Sequence, residues 1–120
     1  MHQSTCSTTV EAGHYVSTLA NDPELGPLVE LFVQELPSRL AAIQQATADD
    51  NIPEAGRLAH QLKGAGGSYG FPHLMQAAAL VERAAREQRP WPEIESALAQ
   101  LATTCSLTRA GCPAEPADDL

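Results

Sequence analysis

Four stretches of this chain repeat apolar residues at intervals of three and four, and each is fenced by residues that start or stop helices. In the first, Asp22 can cap, Pro23 suits the opening position, Glu24 favours the positive end, and Leu28, Leu31, Phe32, Glu35 and Leu36 follow at helical spacing. Pro37 interrupts it, yet Leu40, Ile43 and Ala46 keep the rhythm, so the spacing predicts a kink or two abutting helices ending near Thr47. Asp49, Asp50 and Asn51 form a turn, after which Ala55, Leu58, Ala59, Leu62, Ala65 and Tyr69 mark a second helix that Gly70 stops. Phe71-Pro72 opens a third, with Leu74, Ala77, Ala78, Val81 and Ala85 facing inward, and it ends before Arg89-Pro90. Pro92 starts the last, whose stripe is Ile94, Ala97, Leu98 and Leu101. The stripe residues, Leu28 and Leu31 included, are expected in the core. Short connections between four amphipathic segments predict an all-α, antiparallel four-helix bundle.

At 120 residues the chain has room for one core. We expect the domain to span residues 10–108, with Tyr15, Val16 and Leu19 in a short N-terminal lead-in, and residues 1–9 and 109–120 as loose termini, the second acidic. Aromatic residues make up only 4 %, and the prevailing Ala and Leu suit packing between helices better than a pleated sheet. The formal charge of −8 repels phosphate backbones and anionic lipids, which argues against nucleic-acid or membrane partners. No stretch approaches the ~18 apolar residues of a membrane span, and Met1 to Thr9 lack the basic and apolar regions of a signal peptide. Cys6, Cys105 and Cys112 are too few for a disulfide framework, so a reducing cytoplasm and incidental thiols are expected. His2, His14 and His73 have no metal-ligand spacing with other donors.

The second helix breaks a rule. It places Gly56, Gly64, Gly66 and Gly67 in its interior, at a cost of roughly 1 kcal/mol each relative to Ala. Turning about 100° per residue from His60 puts Gly64 near +40°, Gly67 near −20° and Gly56 near −40°, so three glycines surround the imidazole. Leu58, Leu62, Ala55, Ala65 and Tyr69 cluster on the opposite side, which predicts a solvent-facing His60 on a cleared platform. Gly66, near −120°, is better suited to close helix packing. Lys63 and Arg57 fall near −60° and +60°, so two of the seven cations bracket the ring. A histidine of ordinary pKa, near 6.5, is a competent nucleophile at cytoplasmic pH, and nearby positive charge attracts a phosphoryl group. These features point to phosphohistidine chemistry at His60.

The string His60-Gln61-Leu62-Lys63-Gly64, followed by Gly67, Gly70 and Leu74, resembles the signature of histidine-containing phosphotransfer (HPt) domains, with Leu31 to Pro37 similar to that family's preceding helix. The resemblance covers about Pro23 to Leu101. It implies a bundle whose exposed histidine accepts a phosphoryl group from an aspartyl phosphate on one receiver domain and yields it to another. It further implies His60 as phosphoacceptor, Lys63 as stabilising cation and Gly64 as the clearance position. Response-regulator receivers and a hybrid sensor histidine kinase are the implied partners of a monomer. The chain is then a carrier without ATP binding or cofactor of its own, and Mg²⁺ belongs to the receiver's acidic pocket. Some members place a Gln on the following helix against the imidazole; Glu82 stands at that offset here. A carboxylate there can orient the ring through its other nitrogen, although it opposes an incoming anion. The competing reading is a helical interaction module that binds receiver-like partners without phosphoryl passage.

Overall fold

The computed structural model describes residues 10–11 and 14–110. Four helices, α1 (Gly26–Ala48), α2 (Ile52–Ser68), α3 (Pro72–Arg86) and α4 (Trp91–Leu107), make up most of that span. They close into a ring in which α2 packs on α1 and α3, and α4 packs on α3 and α1. The boundaries follow local chemistry. Asn51 caps α2 by accepting a hydrogen bond from the Glu54 N–H, and the left-handed Asp50 and Gln88 turn the chain before α2 and after α3.

α1 departs from expectation twice. Asp22 does cap, accepting from the N–H groups of Glu24 and Leu25 at 2.8 and 2.9 Å, but it caps a separate turn and α1 begins only at Gly26. The helix then runs through the exposed Pro37 without dividing. Its buried stripe is Val29, Phe32, Leu36 and Ile43, whereas Leu28 and Leu31 are 45 % and 51 % exposed. Phe32 fixes this rotation. Its ring stacks on Tyr69 at 5.1 Å and lies 5.9 Å from Phe71, which turns Leu28 and Leu31 outward by about 100° from their neighbours Val29 and Phe32.

The fold is not purely helical. Three short strands, β1 (Val10–Glu11), β2 (His14–Val16) and β3 (Thr108–Arg109), form a small sheet in the order β1-β2-β3. β1 and β2 are antiparallel, while β2 and β3 run parallel with Tyr15 opposite Thr108 and Val16 opposite Arg109. Arg109 therefore belongs to the ordered fold rather than to a loose terminus. Ala110 packs against the core as well, and the rest of the expected termini lie outside the described residues, as do Cys6 and Cys112. Below the sheet, Ser17 Oγ donates to the carbonyl of Tyr69, and the Thr18 N–H donates to that of Gly70 at 2.9 Å. Gly70 has φ +82°, and a Cβ there would collide with Ser17 and Thr18. The glycine that stops α2 thus also seats the lead-in segment.

The core is built from the four stripes. Val29, Phe32, Leu36, Ile43, Ala59, Leu62, Leu74, Ala78, Val81 and Leu101 form one continuous cluster. Every inward residue expected on α3 is buried, as are Ile94, Ala97 and Leu101 on α4.

Candidate functional site

The interior glycines of α2 are divided between two tasks. A Cβ on Gly56 would stand 3.2 Å from the Cβ of Ala85; on Gly66 it would lie 3.3 Å from the Met75 backbone nitrogen, and on Gly67 3.0 Å from Met75 Sδ. Gly56 and Gly66 are buried and receive α3, whose facing residues include Ala77, Ala78 and Ala85, in the most extensive helix contact of the molecule, whereas Gly67 is exposed and meets only the flexible end of Met75. Gly56 is therefore buried in a helix contact, and it also lines the depression beside His60. A helical wheel gives angles from His60 but not the side on which a neighbour lies, and α3 lies on the side of Gly56, Lys63 and Gly66. Gly64 is different. A Cβ there meets nothing within 4 Å, so internal packing does not account for its missing side chain.

The close approach of α3 delivers Glu82 to the histidine. His60 extends from α2 with its side chain 56 % exposed, while the Glu82 side chain beneath it is 5 % exposed. The His60 Nδ1 lies 2.8 Å from Glu82 Oε2, Lys63 Nζ lies 2.7 Å from Oε1, and Arg86 Nη2 lies 2.9 Å from Oε2. Burial pushes the Glu82 carboxyl up, but hydrogen bonds from Lys63 and His60 and the charges of Arg86 and Lys63 outweigh it, so its pKa is lowered. The group is an ionised acceptor at neutral pH. An ionised carboxylate only accepts, so it selects the tautomer with the ring proton on Nδ1 and leaves the lone pair on Nε2.

Linkage gives this cluster a pH signature. A carboxyl with a depressed folded pKa contributes stability that is full above its unfolded value, near 4.5, and is lost as pH falls through the lower folded value. Glu82→Gln should consequently flatten the acid limb of a stability-versus-pH curve below about pH 5, measured by urea titration. An unchanged acid limb would show that the cluster does not hold the carboxylate ionised.

A model of the Hpt domain family matches residues 27–111, which span all four helices and the histidine cluster. The chain belongs to the Hpt domain family. No curated protein and no solved structure gives a significant match to it. Hpt domains are phosphotransfer carriers rather than kinases, and they work with receiver domains and histidine kinases in two-component phosphorelays.

Within this Hpt domain, His60, Lys63 and Glu82 meet, and Gly64 lies open on the same face of α2 as His60. Arg57 does not join them. It forms two short hydrogen bonds with Glu54 instead, at 2.8 and 2.6 Å. Its place is taken by Arg86, which the sequence reading passed over; the signal was the Glu82–Arg86 spacing of four residues on α3. One shallow depression borders the ring and is lined by Ile52, Pro53, Gly56, Arg57 and Arg86; another, lined by Lys63, Gly64, Gly67 and Met75, lies further along α2. Among the described residues no group of three or more His, Cys, Asp or Glu is placed to hold a metal ion, and no helix is long and apolar enough to cross a membrane. Cys105 is half-buried and unbridged, and burial pushes its thiol up to about 11, which makes it a poor nucleophile.

Proposed function

We propose that this Hpt domain is an antiparallel four-helix phosphorelay intermediate whose His60 takes a phosphoryl group from one receiver aspartate and passes it to another. The observation that carries the proposal is the half-exposed His60 ring, held through Nδ1 by a buried carboxylate with Lys63 on that carboxylate's other oxygen. In the forward step the Nε2 lone pair attacks phosphorus in line. The Nε2–P bond forms as the bond from phosphorus to the receiver carboxylate oxygen breaks, and that oxygen keeps the electron pair. Attack builds positive charge on the ring, and Glu82 stabilises it while the Nδ1 proton stays in place. Lys63 then serves the phosphoryl oxygens, and Gly64 leaves room for the receiver surface. The return step reverses each bond change at a second receiver.

No step asks this chain for a nucleotide, a metal or a cofactor. The Mg²⁺ that offsets charge during transfer belongs to the receiver's acidic pocket. The working state in this reading is a cytoplasmic monomer that docks one receiver at a time.

The test is direct. Incubation with a labelled phospho-receiver, followed by mapping of the modified residue, should find an acid-labile phosphoryl group on His60 and on no other residue. Transfer to a different residue would overturn the assignment. No loss of label from any of a panel of phosphorylated receivers, with binding intact, would favour an interaction module instead.

A further inference from the structure

Glu82 holds more positive charge than a carboxylate needs. Lys63 contacts Oε1 and Arg86 contacts Oε2, the oxygen that also meets His60 Nδ1. With a neutral imidazole, one carboxylate and two cations leave the cluster at +1. Were Lys63 the only counter-charge, its move onto the incoming phosphoryl group, while the imidazole is still neutral, would leave a carboxylate that is 5 % exposed without a cation, and a buried uncompensated charge is strongly disfavoured. Arg86 removes that obstacle. It reaches Glu82 from four residues further along α3, so its contact is set within one helix and does not depend on where Lys63 points.

We infer that Arg86 is a positioning residue: it holds the Glu82 carboxylate so that Lys63 can leave it for the incoming phosphoryl group. The inference rests on His60 being the phosphoacceptor. In the resting state Lys63 is tied to Oε1; in the loaded state Arg86 and His60 hold the carboxylate through Oε2 while the ammonium sits with the phosphoryl oxygens. The role follows from having a carboxylate at position 82. A neutral amide there would make no ion pair with Lys63, and no second cation would be needed to release it.

That dependence supplies the test, a double-mutant cycle on the full chain. The donor is phosphoramidate, a small molecule whose P–N bond breaks with release of ammonia as the Nε2–P bond forms, so receiver docking does not enter. Uptake at His60 is followed by phosphorus NMR. Arg86→Ala should slow uptake by about tenfold, because Lys63 now leaves an uncompensated buried charge. In the Glu82→Gln background the same substitution should change the rate by less than about twofold. Circular dichroism checks that each variant keeps its helices, which the largely exposed Arg86 side chain is not expected to disturb. Parent-like uptake by Arg86→Ala overturns the inference. So does an equal slowing in both backgrounds, which would mean that Arg86 meets the phosphoryl group itself. Either result leaves the phosphoacceptor assignment standing, because that assignment fails only if the parent chain takes its label elsewhere than His60.

Discussion

His60→Gln should take up no phosphoryl label from a phosphorylated receiver and should melt within about 2 °C of the parent chain. Both halves follow from where the ring sits. Its side chain is 56 % exposed and contributes nothing to the core cluster, so the fold loses little apolar burial. Its one hydrogen bond runs from Nδ1 to Glu82, and a glutamine amide N–H supplies a donor of the same kind, so the buried carboxylate keeps three partners. The chemistry has no such substitute. An amide nitrogen has its lone pair delocalised into the carbonyl and does not attack phosphorus. Persisting acid-labile label on the variant would reject His60 as the acceptor. Loss of label with receiver binding retained would separate transfer from docking, and that separation is the property expected of a carrier.

The parts of the fold that local chemistry specifies are the parts the sequence makes legible. α2, α3 and α4 begin within a residue of Asn51, Pro72 and Pro92, and α2 ends two residues before Gly70, because caps and stops act over one turn. The rotation of α1 is set differently. Leu28, Val29, Leu31, Phe32 and Leu36 offer two overlapping apolar stripes, and the choice between them is made by Tyr69 and Phe71, far away in the chain. The sheet has the same character. Strands of two and three residues carry no period, and the pairing of Tyr15 with Thr108 spans almost the whole domain. In the site, the exposure of His60 follows from the position of Leu58 and Leu62 alone. The membership of the cluster does not, since it depends on which flank of α2 receives α3. That choice excludes Arg57, which is three residues from His60, and admits Arg86, which is 26 residues away.

The same choice gives the glycines different consequences when they are filled. Gly64→Leu should fold at least as well as the parent, gaining up to about 1 kcal/mol of helix propensity in a urea titration, because a Cβ at that position meets nothing within 4 Å. Transfer from a phosphorylated receiver should nonetheless fall roughly 100-fold, since a branched side chain on the open face holds the donor off the in-line position. Uptake from phosphoramidate should stay within about twofold of the parent, because a donor of that size needs no clearance. Gly56→Leu is the contrasting case. Its Cβ would already stand 3.2 Å from Ala85 Cβ, so the larger side chain should cost about 2 kcal/mol and, by pushing α3 away, draw Glu82 off the ring and slow both donors. A Gly64→Leu protein that exchanges phosphoryl groups with receivers at the parent rate would remove the clearance role. The exposed glycine would then stand as an unexplained weakness in α2, because no neighbour in the fold requires it.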